Sequence, residues 1–425
     1  MKFRIGLLAI LSLILILRGS EAFAQDESKR SPAITTGTLS PLKMRSIGPA
    51  LMSGRIADIA IDAKQPNTWY VAAGSGNLWK TINAGTTWKP IFERYGSYSI
   101  GCIALDPRDR DTLWVGTGEN VGGRHVGYGD GIYVSHDGGQ TFVNKGLKNS
   151  EHLSKIIIHP EDSQTLFVAS QGPLWSSGGE RGLYKSTDGG ATWRAVLTRG
   201  PWTGVTDVVM DPKNPNILFA ATHQRHRTVY GLINGGPESG IHKSVDGGET
   251  WVELKSGLPG ADKGKMSIAI SPQKSNVVYA AIELAGPTGG VWRSENGGQS
   301  WTKMSDYVAG GTGPHYYQEI YCDPHRFDVF YHANVQLGRT EDGGATFNSV
   351  GNSNKHVDNH AVAFHPRYPD FLLVGCDGWL YRSWDYAETY QYTANLPLTQ
   401  FYNCLLYTSD AADEGLGVDL GGRRI

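Results

Sequence analysis

An eight-residue motif recurs along this chain of 425 residues and limits the folds that the chain can adopt. One copy reads "STDGGATW" and spans residues 186–193. Near-copies begin at Ser135, Ser244, Ser294 and Thr340, and degenerate copies begin at Thr81 and Ser383. Successive copies lie 54, 51, 58, 50, 46 and 43 residues apart. Because a period near fifty is typical of solenoids and propellers, the motif predicts a repeat protein.

A second recurring unit precedes each motif. It contains two short runs of β-branched or aromatic residues separated by a turn rich in Pro, Asp and Asn, as in "IALDPRDRDTLWVGTG" at 103–118. This pattern is typical of a β-hairpin. The motif then joins a third strand, such as "GLYKS" at 182–186, to a fourth strand that begins at its Trp or Phe. Four strands in each of seven repeats predict an all-β fold, a seven-bladed β-propeller of four-stranded antiparallel blades.

Turn formation accounts for the residue types of the motif. Paired glycines adopt the positive φ angles of a tight turn, and an Asp side chain accepts hydrogen bonds from backbone N–H groups of its own turn. In the copy at 186–193, we expect Asp188 to hold the turn and Trp193 to pack between neighbouring blades. The motif aspartates are therefore interpreted as structural and not catalytic; they are Asp137, Asp188, Asp246 and Asp342.

The motif resembles the Asp box of bacterial-neuraminidase-type (BNR) repeats, which occur in sialidases, xyloglucanases and sortilin receptors. Together with "GTGENVGGRHVGYGDGIY" at 116–133 and "HVDNHAVAFHP" at 356–366, it makes residues 43–403 similar to secreted bacterial proteins described as sortilin-like or glycosyl-hydrolase-like. The resemblance implies a propeller with Asp-box turns. It also implies either a glycoside hydrolase or a noncatalytic receptor or assembly module, because one scaffold can host both.

The two ends of the chain differ from the repeats. Residues 1–24 have the features of a secretory signal peptide, since Lys2 and Arg4 precede an apolar run and "AFA" at 22–24 offers a cleavage site. We therefore expect a secreted or periplasmic protein with no membrane span after removal of the signal. Residues 25–42 are expected to form a flexible lead-in. Residues 404–425 show no strand pattern, so we expect a non-native or disordered tail, with further domains in the natural protein.

Charge and side-chain pattern limit the partners. The formal net charge of −2 argues against nucleic acid as a partner, because the chain has no excess of Lys and Arg to neutralise phosphates. We expect a polysaccharide or other glycan, or a peptide, as the ligand, and no cofactor. His356, Asp358 and His360 alternate on a predicted inner strand, which fits either a zinc site or a hydrated channel wall. We favour the channel wall and expect no metal.

Propeller geometry separates the connections onto two faces. Turns between first and second strands are short and share one face with the repeated motifs; we call it the short-turn face. Loops between second and third strands (119–131, 172–182 and 223–240) and between blades are long and irregular, and form the loop-rich face. Binding sites usually lie on irregular loops. The ligand-binding residues predicted there are Arg124, His125, Tyr128, Gln171, Trp175, Arg181, His223, Arg225, Tyr230, His315, Tyr316 and His356.

The enzymatic alternative is glycoside cleavage, which uses two carboxylic groups, one protonated and one ionised. The catalytic candidates are Glu119, Glu283, Asp358 and Asp377, which are expected near the propeller axis. Polar groups at these places would also suit a water-filled channel. Sialidase chemistry is disfavoured, because Arg55 lies where sialidases of this type carry Arg-Ile-Pro, but Ala57 replaces the proline.

Overall fold

The computed structural model describes residues 54–123, 126–286, 288–308, 318–351 and 354–398. These residues contain no helix, so none of them forms a helix that could cross a membrane. They form seven four-stranded antiparallel sheets and one two-stranded hairpin. The predicted seven-bladed propeller is therefore confirmed. The expected signal peptide, the lead-in and the tail at 404–425 lie outside the described residues.

The four strands of each blade follow one another along the chain. Blade 1 contains β1 (Ile56–Ile61), β2 (Trp69–Ala73), β3 (Leu78–Thr81) and β4 (Lys89–Pro90). Blade 2 contains β5 (Ile100–Leu105), β6 (Leu113–Thr117), β7 (Ile132–Ser135) and β8 (Val143–Asn144). Blade 3 contains β9 (Leu153–His159), β10 (Asp162–Ser170), β11 (Gly182–Ser186) and β12 (Arg194–Leu197).

The later blades repeat this order, with one insertion. Blade 4 contains β13 (Thr203–Asp211), β14 (Asn214–Gln224), β17 (Gly240–Ser244) and β18 (Val252–Glu253), and carries the hairpin of β15 (His226–Arg227) and β16 (Leu232–Ile233). Blade 5 contains β19 (Lys263–Ile270), β20 (Val278–Leu284), β21 (Gly289–Ser294) and β22 (Thr302–Ser305). Blade 6 contains β23 (Glu319–Cys322), β24 (Phe330–Ala333), β25 (Leu337–Thr340) and β26 (Asn348–Ser349). Blade 7 contains β27 (Asn359–Phe364), β28 (Leu372–Cys376), β29 (Trp379–Ser383) and β30 (Gln391–Tyr392).

The first strand of every blade contacts the first strand of the next, so these seven strands surround the axis. The ring closes where β1 meets β27 and β28. Ile56 and Trp69 of blade 1 share a hydrophobic core with Trp379 of blade 7, and all three side chains are buried. No strand of the described residues is shared between blades 1 and 7. Closure therefore depends on side-chain packing and on a short parallel bridge between Gly54 and Gly378.

The repeated motifs form the turns between third and fourth strands, and all seven turns use one hydrogen-bond scheme. In the copy at 186–193, Ser186 Oγ donates to Asp188 Oδ1 at 2.8 Å and accepts from the N–H of Gly190 at 2.9 Å. The N–H of Thr192 donates to Asp188 Oδ1 at 2.9 Å. The Asp188 carboxylate therefore bonds within its own turn.

The aromatic residue that ends the motif joins neighbouring blades. The ring centroid of Trp193 in blade 3 lies 6.5 Å from that of Trp114 in blade 2, and its Nε1 donates to Lys145 O at 2.7 Å. Gly190 has a φ of 76°, and a Cβ at this position would lie 2.6 Å from the Trp114 ring. Glycine is therefore required here by both the backbone angle and the close approach. The interblade packing expected of Trp193 is observed.

We expect Asp342→Ala to lower the melting temperature, because the N–H and hydroxyl of Thr346 would lose their acceptors at 2.9 and 2.6 Å. Asp342→Asn should lower it less, since Asn83 and Asn296 occupy the same place in two other turns and accept the corresponding backbone bond. Thermal unfolding followed by circular dichroism measures both variants. Equal losses for the two variants would show that the turn does not depend on this acceptor.

Candidate functional site

Polar side chains from blades 1, 2 and 7 meet near the axis on the loop-rich face. Arg55 directly precedes β1, Glu119 follows β6, His360 lies in β27 and Asp377 follows β28. First strands start at this face and second strands end at it. Residues far apart in the sequence are therefore brought into one cluster, which we call the mouth cluster.

The mouth cluster is held together by hydrogen bonds between charged groups. Arg55 Nη1 donates to Glu119 Oε1 at 2.5 Å, and Arg55 Nε donates to Asp377 Oδ1 at 2.7 Å. His360 Nε2 lies 2.5 Å from the same oxygen of Asp377 and donates to it. The side chain of Glu119 is fully buried, whereas 26% of the Asp377 side chain is exposed. Of the two carboxylates that bind Arg55, Asp377 is therefore the one that solvent reaches.

The surroundings of Asp358 and Asp377 move the pKa values of these two residues in opposite directions. Burial opposes ionisation of Asp377, but the hydrogen bond from His360 and the charge of Arg55 hold its pKa well below the ordinary value. Burial and the negative charge of Asp377 raise the pKa of Asp358. The N–H of Asp377 donates to Asp358 O at 3.0 Å, so the two residues are direct neighbours. The pair combines an ionised carboxylate with a carboxyl group that retains its proton more readily.

The predicted alternation of His356, Asp358 and His360 on one inner strand is wrong. Strand β27 begins only at Asn359, and Asp358 has a φ of 60°, which turns the chain immediately before the strand. The N–H of Asp358 donates to Val335 O at 2.7 Å in the preceding blade. His356 and Asp358 therefore lie in the connection between blades 6 and 7. In the part of the chain that the structure describes, no group of three or more His, Cys, Asp or Glu residues is arranged to hold a metal ion.

Glu283, the remaining catalytic candidate, has other partners. Its Oε2 accepts from Asn234 Nδ2 at 2.9 Å and from the N–H of Lys265 at 3.2 Å. Burial raises the pKa of Glu283 to about 7 despite these bonds and the charge of Lys265. The residue is 7% exposed. Glu283 therefore occupies a closed environment in blade 5 and has less access to solvent than Asp377.

Two predicted ligand-binding arginines bind loop backbone. Arg181 Nη1 donates to Gln171 O, and Arg181 Nη2 to Ser176 O, both at 2.7 Å. Arg225 Nη1 donates to Val121 O at 3.2 Å, and its Nη2 to the carbonyl of Gly172 at 3.1 Å. The bonds of Arg225 tie the long loops of blades 2 and 3 to blade 4, whereas those of Arg181 stay within the loop of blade 3. Both guanidinium groups position the loop-rich face and are not directed towards solvent.

Other predicted residues are distributed over the same face. Gln171 is buried and donates to Asn120, while burial and the charge of Arg225 lower the pKa of buried His223 to about 3. Trp175 packs against the apolar cluster of the loops. Among the predicted ligand-binding residues, the exposed aromatic side chains are Tyr128 (55%) and Tyr230 (96%). Arg124, His125, His315 and Tyr316 lie outside the described residues.

The sequence pattern did not indicate Arg55 and His360 as partners of Asp377. Counting back from the turns would have indicated Arg55. Arg55 lies seven residues before Asp62, the residue after β1, and Asp358 lies seven residues before His365, the residue after β27. This shared position places both residues at the axis. No sequence pattern indicates the stacking of His226 on Trp202, whose ring centroids lie 3.8 Å apart, because His226 belongs to the β15–β16 hairpin and not to the repeat.

Comparison with known proteins agrees with the fold. The family model of Sortilin-Vps10 (Sortilin, neurotensin receptor 3) matches residues 130–284. The xyloglucanase Xgh74A of Acetivibrio thermocellus is 24% identical over 268 residues, which are 55% of this chain and 29% of that protein. A xyloglucanase of Hypocrea jecorina is 27% identical over 236 residues, 47% of this chain and 26% of that protein. The chain therefore spans less than a third of these relatives.

A solved structure shows the same architecture. The GH74 xyloglucanase from Xanthomonas campestris superimposes with a TM-score of 0.60 and 15% identity, over 81% of this chain and 55% of that one. The resemblance expected from the repeated motif is confirmed. The described residues form a seven-bladed β-propeller, and the chain is similar to sortilin and to GH74 xyloglucanases, a group with glycosyl-hydrolase-like members.

Proposed function

We propose that this protein is exported, that its loop-rich face binds a glycan at the mouth cluster, and that Asp358 and Asp377 form the carboxylic pair that acts on a glycosidic bond. The observation that carries the proposal is that Asp358 and Asp377 are joined by a backbone hydrogen bond of 3.0 Å at a mouth that solvent reaches. Their surroundings also move the two pKa values in opposite directions. Glycoside cleavage uses one protonated and one ionised carboxyl group, and such a separation of pKa values distinguishes them. The similarity to xyloglucanases supports a glycan as the ligand.

The surroundings give each carboxyl group a role. Asp358 donates its proton to the glycosidic oxygen, and ionised Asp377 acts as the base or nucleophile. Arg55 and His360 hold Asp377 in place and keep it ionised. The exposed ring of Tyr128 offers an apolar surface on which a sugar ring can lie.

Binding is tested by calorimetric titration with xyloglucan oligosaccharides, within a wider polysaccharide panel. We expect Tyr128→Ala and Asp377→Asn each to weaken binding about tenfold, the effect of losing about 1.4 kcal/mol of contact. Asp342→Asn is the control, because Asp342 belongs to a turn on the short-turn face. Unchanged affinity in both test variants, or no binding of any polysaccharide, would refute the proposal.

The second candidate function is a noncatalytic receptor or assembly module. It is favoured by one observation: the Oδ1 atom of Asp377 already accepts bonds from both Arg55 and His360. Release of reducing sugar separates the two functions. For an enzyme, Asp358→Asn should lower release 100-fold or more, as loss of a general acid commonly does, and retain binding. Binding without release by the unmodified protein would instead indicate the receptor.

A further inference from the structure

A cavity of about 550 Å³ lies on the propeller axis, between the first strands of blades 3 to 7. Its lining includes Pro160, Pro212 and Pro272, which belong to the short turns that follow β9, β13 and β19. The cavity therefore extends to the short-turn face, at the opposite end of the axis from Asp358 and Asp377. We call it the axial cavity.

A polar layer separates the axial cavity from the mouth cluster. Asn120 Nδ2 donates to Glu319 Oε1 at 2.9 Å, and Gln171 donates to Asn120 Oδ1. Glu319 is part of the cavity lining, whereas Asn120 directly follows Glu119 of the mouth cluster. The cavity is thus a separate site, and its occupation does not depend on the proposed glycan binding.

The walls of the axial cavity are mainly apolar. They include Ile157, Val209, Ala269, Val362 and Phe364, which lie on the first strands of four blades. Three of these side chains, those of Ile157, Val209 and Phe364, are only partly buried although they belong to the innermost strands. A volume of this size lies within the range of small-molecule pockets, which are typically about 300–1,000 Å³ and mostly apolar.

The inner end of the cavity carries charge. Lys155, Asp207 and Glu319 line it, and Asp58 lies close enough to influence Lys155. Burial disfavours the charged form of Lys155, but Asp207, Glu319 and Asp58 raise its pKa above the ordinary value, so its ammonium group remains charged. In the described part of the chain, this group forms no hydrogen bond or ion pair, and its direct contact is with the Tyr321 ring, 5.9 Å from Nζ to the ring centroid.

The ammonium group of Lys155 therefore has three donors and no acceptor among the described residues. Asp207 accepts from Ser267 Oγ at 2.9 Å and from the N–H of Ile268 at 2.8 Å. The carboxylates of Asp58, Asp207 and Glu319 face two ammonium groups, those of Lys155 and Lys265. A bound anion would therefore be repelled by the carboxylates, and a bound cation would be repelled by the ammonium groups. An uncharged oxygen acceptor avoids both costs and supplies the missing partner.

We propose that the axial cavity binds a compact, mostly apolar small molecule whose uncharged hydroxyl or carbonyl oxygen accepts a hydrogen bond from Lys155. The apolar body lies against the walls of blades 3 to 7, and the oxygen points to the inner end of the cavity.

Three probes with one rigid apolar cage test the proposal: adamantan-1-ol, adamantane-1-carboxylate and adamantan-1-ammonium. Calorimetric titration of the unmodified protein should show one site for the alcohol, at least tenfold tighter than for either ion. Lys155→Met should weaken binding of the alcohol about tenfold, corresponding to about 1.4 kcal/mol. No binding of the alcohol, or tighter binding of an ion, would overturn the proposal.

A cavity-filling variant keeps the test decisive if Lys155→Met does not fold. Val209→Phe narrows the cavity without changing charge and should lower the affinity for the alcohol at least tenfold. Val143→Phe is the matched control, because Val143 is 59% exposed on the outer strand β8 and should retain the affinity of the unmodified protein. Equal affinity in Val209→Phe and Val143→Phe would place the bound probe elsewhere and refute the proposed site.

Discussion

Arg55→Met is expected to lower the free energy of unfolding by about 3–5 kcal/mol, the usual effect of removing one partner of a buried ion pair. The side chain of Glu119 is fully buried and accepts from Arg55 Nη1 at 2.5 Å. The substitution leaves the charge of Glu119 in the interior without this partner and removes one donor from Asp377. Urea denaturation followed by tryptophan fluorescence measures the change.

Two further variants identify the cause of this loss. Arg194→Met removes the same kind of group from an exposed pair, since the Arg194 side chain is 56% exposed and contacts Glu249 at 2.6 Å. It should cost at most about 1 kcal/mol. Adding Glu119→Gln to Arg55→Met removes the charge that has lost its Arg55 partner and should restore part of the stability. If the double variant is as unstable as the sum of its single changes, the ion pair does not explain the loss.

Trp379→Ala is expected to destabilise the protein by about 3–5 kcal/mol, because the substitution leaves a large cavity in a packed core. Trp379 is fully buried where blade 7 meets blade 1, and its Nε1 donates to Thr393 O at 2.6 Å. Since closure of the ring rests on packing at this junction, the midpoint of urea denaturation should fall strongly.

Trp384→Ala makes the same chemical change five residues later and serves as the control. Trp384 is 61% exposed and contacts the ring of Phe371 at 4.3 Å between centroids. Its loss should cost about 1 kcal/mol or less. A similar cost for Trp379→Ala would mean that the junction between blades 1 and 7 contributes little to stability.

Much of the fold could be predicted from the sequence because the repeats encode local structure. The turn at 186–193 is determined by residues within it, and Asp188 and Ser186 bond only a few positions away. The spacing of the seven turns then implies seven blades. The β15–β16 hairpin was not predicted, because it interrupts the loop of a single blade and has no counterpart in the repeat.

The candidate site could be predicted only in part. The sequence placed Glu119 and Asp377 near the axis, but their partners depend on ring closure, which brings Arg55 to a residue 322 positions away. The turn of the backbone at Asp358 could not be predicted either, because the alternating residues 356–360 resemble an ordinary strand. Arg181 and Arg225 looked like ligand-binding groups, since a sequence does not reveal which guanidinium groups donate to loop carbonyls.

The axial cavity was not predicted, because short uniform turns gave no reason to expect a site on their face. The charged residues at its inner end occupy one register position: Lys155, Asp207 and Glu319 each lie five residues before the proline of the turn between the first and second strands. Within a single strand, each of these side chains resembles an isolated charge. Only the closed ring brings them together.

The order of strands within the blades has a consequence for synthesis of the chain. Each described blade takes all four of its strands from one continuous stretch of 31 to 51 residues. Its backbone can therefore pair completely before the following stretch has left the ribosome, and each new blade finds its neighbour already formed. The junction of Trp379 with Ile56 and Trp69 forms once blade 7 is complete, because it joins blade 7 to blade 1. In this order, the contacts between blades 1 and 7 form last and close the ring, after contacts such as that of Asn120 with Glu319 have joined blades 2 and 6.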